Sequence, residues 1–417
     1  MMSAFTAMQG RWGGRELALL GKVCMAHFVS HFHIMTLPAL IPLLPAHFGV
    51  GFIEIGLALT VFNLVTLVAQ TPVGFLTDRF GPRRLLIGGL VLGGVSFIGL
   101  AATQTYPLLL VGMAFAGLAN CVYHPADYAW LSHGIDGGRM GKAFSFHTFA
   151  GYFGGAIAPA VLLGIAAFGG VALAFAVAGA IGCIVAILIA RTPDDSARQP
   201  RRAHTTPEPG ATQASGGISG LLSPAILILI VLFMLLNLST GGLQNFSVSA
   251  LTTGYGVDLV MANTALSGFL FASAFGVLAG GILADRTSRH GYVAAAAFGV
   301  TAVLVAIIAV TRLPAPALVV MLTLAGFLSG VIAPSRDMLV RAAAPRGAEG
   351  RVFGIVTTGF NIANFSGPLF FAWLLDRGLP SFVFAATAGF MVLTVALTLW
   401  QEASAARSSR NTSGTKG

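Results

Sequence analysis

The sequence predicts an all-α membrane protein, with twelve transmembrane helices arranged as two pseudo-symmetric six-helix bundles. Three observations predict it. Hydrophobic residues fill 56% of 417 positions and charged residues only 9%, against roughly 25% charged in a soluble domain whose surface faces water. Charge-free stretches long enough to cross a bilayer recur along the chain, and a set of Gly, Pro and charged positions recurs in its second half.

A span needs about 20 apolar residues, and lipid offers the backbone no hydrogen-bond partner, so a spanning segment is a helix or part of a closed barrel. Continuous apolarity without strict alternation selects helices. They are expected near 17–43, 53–77, 85–103, 107–131, 143–165, 169–190, 222–247, 259–284, 292–311, 315–339, 352–375 and 380–400. The first run follows Arg11 and Arg15 but outlasts the apolar core of a signal peptide, so it reads as a retained helix. Cys24, Cys121 and Cys183 all fall within spans, which argues against a disulfide framework.

The basic residues orient the chain. Of 23 Lys and Arg, only Arg312 and Arg377 fall on the far side and Arg336 within a span; the others, Lys22 among them, lie at the N-terminus, in loops after even-numbered helices or in the tail. Positive residues mark the cytoplasmic face. The expectation is a multi-pass protein of the inner (plasma) membrane with both termini cytoplasmic. The net charge of +9 then reflects topology and implies no nucleic-acid partner. A Pro/Ser/Thr/Arg-rich stretch separates the halves and reads as a disordered linker. The expected organisation is 1–190 for the first bundle, 191–221 for the linker, 222–400 for the second bundle and 401–417 for a disordered tail.

The halves repeat. Gly74-x-x-x-Asp78-Arg79 recurs as Gly281-x-x-x-Asp285-Arg286, 207 residues on. An offset of 209 matches Ala116-Gly117 to Ala325-Gly326, Pro125 to Pro334, Thr148 to Thr357 and Pro159 to Pro368. Two parallel six-helix repeats are the architecture of one large transporter class.

The run Gly74-Phe75-Leu76-Thr77-Asp78-Arg79-Phe80-Gly81-Pro82-Arg83-Arg84 resembles the loop signature of the major facilitator superfamily. The resemblance covers the chain apart from linker and tail and implies the major facilitator fold, with this loop helping to latch the cytoplasmic gate. Gly74 would permit close helix approach, Asp78 would accept bonds from a neighbouring helix end, and the arginines would hold the turn at anionic headgroups. His27-Phe28-Val29 and Val122-Tyr123-His124-Pro125 are similar to patterns of the fosmidomycin-resistance (drug efflux) branch, with Ser30-His31 where an Asn-Asp pair is expected. Gly151-x-x-Gly154-Gly155-x-x-Ala158-Pro159 is similar to the helix-five motif of drug antiporters, with Ala before Pro159. Met113 stands where many proton-coupled exporters of the superfamily carry Arg, so proton coupling would use other residues.

Ionisable side chains within spans are costly and mark function. Helix one carries His27 and His31, four apart on one face, with His33 pointing elsewhere; helix four carries His124 and Asp127, helix five His147, and helix ten Arg336 and Asp337. Asn120 joins them on helix four. His27 and His31 are expected near mid-membrane facing the central cavity, and the others toward the cytoplasmic ends. His-x-x-x-His has no third ligand at a telling spacing, so no metal or other cofactor is expected. Gly137 to Ala143 lacks the spacing of a nucleotide-binding loop, and no nucleophile arrangement suggests an enzyme. The resemblance implies a monomeric transporter working by alternating access. Histidine chemistry and a cavity leaning positive point to proton-linked export of a small anionic or zwitterionic compound or drug. The alternatives are proton-linked uptake of an organic acid and a substrate-sensing receptor on a transporter fold.

Overall fold

The computed structural model describes residues 12–136, 139–192, 223–287, 289–343, 355–356 and 358–414. We number the spanning helices α1 (Gly14–Ile34), α2 (Phe52–Phe80), α3 (Pro82–Thr103), α4 (Tyr106–Gly134), α5 and α6 (140–169 and 171–191), α7 (Pro224–Tyr255), α8 (Leu259–Arg286), α9 (His290–Val310), α10 (Ala315–Ala343), α11 (Thr358–Asp376) and α12 (Pro380–Gly414). No strand occurs among the described residues. The twelve-helix expectation is met, with α5 and α6 as one helical run, Met140–Arg191, whose helical geometry breaks only at Gly170 (φ 77°). At about 1.5 Å per residue that run is far longer than the roughly 30 Å hydrocarbon core, so it must double back there.

Local chemistry sets most boundaries. Glu16 and Glu54 reach back to the amides of Gly13 and Gly51, and Asp258 accepts from the Met261 amide, so α1, α2 and α8 start capped. Pro lies in the first turn of α3, α4 and α7, where its missing N–H costs nothing. Helix one stops at Ile34 instead of running to 43, because Pro38 removes the donor for the Ile34 carbonyl and its ring clashes there. Two short helices, Thr36–Leu40 and Leu44–Phe48, carry the chain onward between Pro38, Pro42 and Pro45. Lys22, expected among the cytoplasmic cations, is buried inside α1. Most of the linker lies outside the described residues. Of the tail expected to be irregular, 401–414 continues α12; Gln401-Glu402-Ala403 and Ala405-Ala406-Arg407 are helix formers with no Gly or Pro among them.

The repeat is visible in the packing. In the first half α4 lies against α2 so closely that a Cβ on Gly117 would fall on the Phe62 carbonyl oxygen. In the second half α10 lies against α8, and Gly326 meets the Phe269 carbonyl in the same way. Phe62 and Phe269 are themselves 207 residues apart. The halves meet through α2 against α11 and α5 against α8.

Gly326→Ala should therefore lower thermal stability in detergent by about 1–3 kcal/mol, since backbone cannot yield to the added methyl. Gly299→Ala, which meets open space, should stay within about 0.5 kcal/mol of the parent. Equal melting of the two variants would remove the packing explanation.

Candidate functional site

Five ionisable residues from three helices converge inside the first half. The Asp127 Oδ2 oxygen lies 3.0 Å from His147 Nε2 and 3.3 Å from His27 Nδ1. One carboxylate of α4 thus joins imidazoles from α5 and α1. The rings of His27 and His147 stack, centroids 3.7 Å apart, while His31 and His124 approach His27 edge-on at 4.7 and 5.3 Å. His27, Asp127 and His147 are 3%, 0% and 1% exposed. His27 is therefore enclosed by its own half and does not face the cavity as expected. The open side is formed by α4, where His124 and Tyr128 are exposed and stacked on each other at 6.0 Å, with Asn120 half-buried one turn earlier. Tyr128 also lies 5.6 Å from the His147 ring.

Spacing and a glycine build this cluster. His27 and His31 share one face of α1, and His124 and Asp127 lie three apart on α4. On α5, Gly151 is one turn beyond His147, and a Cβ there would come within 2.6 Å of the His27 ring and 2.8 Å of His31. Gly154 lets α5 lie on the Phe28 carbonyl, whereas a Cβ at Gly155 would make ordinary contact with Met35 at 3.6 Å. Pro159 lies inside the same helix. The helix-five motif thus opens room for imidazoles. Asp127 Oδ1, His147 Nδ1 and the Tyr123 hydroxyl are buried without hydrogen-bond partners, a cost that an ordered water or a proton-dependent rearrangement would offset. The fold also supplies what the spacing lacked for a metal: ligand-type atoms of His27, Asp127 and His147 lie within 4.8 Å of one another.

The remaining expected residues lie elsewhere. Arg336 is in the second half, its guanidinium 5.0 and 5.1 Å from the Phe233 and Phe360 ring centroids, a cation–π setting. The side chains of Asp337, Asp78 and Asp285 lie outside the described residues. In the loop motif, Gly81 takes φ 87° as α2 turns into α3, Arg79 sits over the Phe80 ring, and Arg84 and Arg286 are exposed. Arg83 does not reach for headgroups. Its Nη2 donates to the carbonyls of Ile189, Ala190 and Thr192, because the C-terminus of α6 offers unpaired carbonyls and negative partial charge. A Cβ at Gly74, or at its counterpart Gly281, would meet nothing within 4 Å, so the close approach expected there is not made.

The close approach lies at the opposite end of α2. Asp376, the last residue of α11, accepts from the Phe52 and Ile53 amides at 2.7 Å each. Thr60 donates to the Phe365 carbonyl and Asn63 to that of Asn364, and Gly56 packs on Pro368 and Ala372. Asp376 was missed by sequence reasoning, although a signal exists: an acid at the C-terminus of its own helix opposes that helix dipole and calls for a positive partner elsewhere.

A double-mutant cycle in thermal unfolding between Asp127→Asn and His147→Gln should return a coupling of about 0.5–3 kcal/mol. Asp127→Asn paired with His33→Gln should be additive, since His33 bonds the Ala178 carbonyl; coupling absent from the first pair would dismantle the shared-carboxylate description.

The profile of the Major Facilitator Superfamily matches residues 23–249 and 235–416. The fosmidomycin resistance protein of Escherichia coli is 26% identical over 66% of this chain and 66% of its own length. The probable sulfoacetate transporter SauU of Cupriavidus necator is 27% identical over 39% of this chain and 38% of its own. The chain thus spans just under two thirds of the first relative and much less of the second. A bacterial homologue of the human lysosomal transporter Spinster, solved in an inward-facing, occupied conformation, superposes with a TM-score of 0.78 at 13% identity, covering 94% of this chain and 97% of that one. Two repeated halves, the convergent spans and the matching profile lead to one assignment: the chain belongs to the major facilitator superfamily, a family of membrane transporters and not of enzymes.

Proposed function

We propose that this transporter works by alternating access and links the export of a small anionic or zwitterionic organic compound to proton movement. The observation that carries the reading is the buried carboxylate shared by His27 and His147. Imidazole titrates near neutral pH, at about 6.5 when unperturbed. A proton added to this set changes the charge that three packed helices enclose, so protonation and helix arrangement are linked. His31 and His124 tune the set, and His124 with Tyr128 opens it to water. With basic loops inside, both termini are cytoplasmic in the inner membrane and the monomer is the working unit. Asp376 then closes the periplasmic end. The name of the fosmidomycin resistance protein supports drug export. That of the sulfoacetate transporter supports an organic anion as solute and sustains the rival reading, proton-linked uptake.

Expression in a fosmidomycin-susceptible host should lower susceptibility, and more so at one external pH than another. His27→Gln keeps size and hydrogen bonding but cannot titrate, so it should flatten that pH dependence at equal membrane abundance. Unchanged pH dependence would sink the coupling role. Unchanged susceptibility, together with new growth on organic acids, would favour uptake.

Asp376→Asn removes the charge from the α2 cap, and charge-assisted bonds are about twice as strong as neutral ones. With Cys24, Cys121 and Cys183 replaced by Ser, the variant should raise labelling of a cysteine placed at the half-buried Val50 by a membrane-impermeant maleimide added outside. Labelling equal to that of the Asp376 parent would exclude a closing role.

A further inference from the structure

One stripe of neutral polar groups is left over by the coupling site. On α7, Asn237, Gly241 and Asn245 are spaced by four and share a face. Opposite them stand Asn364 of α11 and Asn63 of α2, with Phe371 contributing apolar wall, around a cavity of about 20 Å³ that no charged side chain lines. That is room for about one water-sized group inside a cavity that is partly open, so the rest of a larger group can stay in the opening. Asn237 Nδ2 donates to Asn364 Oδ1 at 2.7 Å, and Asn63 Nδ2 donates to the Asn364 carbonyl. These amides are held in place by each other. Asn245 is different: among the described residues no hydrogen bond holds its amide, and a Cβ at Gly241 would meet nothing but Asn245 Nδ2, at 4.0 Å. The missing side chain at Gly241 leaves a notch between two amides. Asn364 is exposed within a helix of a membrane protein, and an amide at that depth faces water or another polar group, because lipid would cost several kcal/mol per unsatisfied group.

We infer that this notch is a solute-binding subsite for an uncharged hydrogen-bonding group, a hydroxyl or a carboxamide. An amide offers both a donor and an acceptor, so a group with both is matched; a carboxylate would meet donors without a counter-charge, and a methyl would leave the amides unpaired. Packing glue would pair the amide with a neighbour, whereas the Asn245 amide lines the cavity and has no hydrogen bond among the described residues. The inference rests on the transporter reading and deepens it: the solute carries its acid at one end and a neutral polar group at another. Discrimination of this kind is steep, because a site built for hydrogen bonds strands its own polar groups when the ligand lacks them.

The test is thermal unfolding of the purified full chain in detergent with two probes at equal concentration, 5-amino-5-oxopentanoate and pentanoate. A ligand that binds only the folded state raises Tm with its occupancy. The carboxamide probe should raise Tm clearly more than pentanoate, and both Asn245→Leu and Gly241→Val should erase the difference. Equal shifts in the parent protein, or a difference that survives both variants, overturns the subsite. A separate measurement needs no ligand and no bulky side chain. With Cys24, Cys121 and Cys183 replaced by Ser, Asn245→Cys should react with a hydrophilic methanethiosulfonate; an unreactive thiol also overturns the subsite. Failure here alongside a flattened pH profile in His27→Gln removes the subsite alone, whereas the reverse pattern removes the coupling role alone.

Discussion

Hydrocarbon offers no hydrogen-bond partner, and that constraint shapes every polar group in this chain. Isolated hydroxyls turn back on their own helices: Thr66, Thr77, Ser96, Ser239, Thr301 and Thr394 each donate to the carbonyl four residues earlier. Groups that cannot do so find a neighbour, as His33 finds the Ala178 carbonyl across the α1–α6 contact. Apolar burial drives little association between helices already in lipid, so close backbone approach at glycine carries the packing. Among the described residues this accounting leaves scattered buried hydroxyls such as Ser249, Ser335 and Thr387 without a hydrogen bond, and a concentration of such atoms around Asp127. That concentration, with the Asn245 amide, is where chemistry has room.

The two halves share a frame and differ in contents. Gly117 on Phe62 and Gly326 on Phe269 are one joint made twice. Inside the first frame lie four imidazoles and a carboxylate; inside the second, a guanidinium faces aromatic rings, and α7 presents amides. In the proposed reading, titration belongs to the first half alone, whereas neutral recognition sits at the boundary, on α7 and α11 of the second half with Asn63 of α2. Halves that rock against each other would then carry the proton-sensitive set as one body and open or close the amide notch between them.

Much of the fold was legible because Gly and Pro act on the backbone itself and keep their meaning without knowledge of neighbours. The 207–209 offset is of this kind. The end of helix one was misread because hydropathy over a window is blind to Pro38 acting on a carbonyl four residues back. At the site, period alone put His27 with His31 and His124 with Asp127. That the two pairs and His147 meet depends on Gly151, which the helix-five motif singles out without saying what its missing side chain makes room for. Asp376 was hidden for another reason: its partners are backbone amides, which every sequence has. The exposure of His27 was misjudged because a helical face names a direction, and only the packed neighbour decides what fills it.

The junction at Gly170 has a practical corollary. The hairpin of α5 and α6 turns with a single non-helical residue, leaving next to no free chain outside the bilayer at that end of the first half. Phe168, 95% exposed, stands clear of the apex, and Leu173 beyond it is 44% exposed. A protease needs several extended residues in its cleft, and an antibody paratope needs a surface of comparable breadth; neither finds one here. Reagents raised to report on this transporter from that side have to be aimed at other connections, such as the exposed residues 102–105 between α3 and α4.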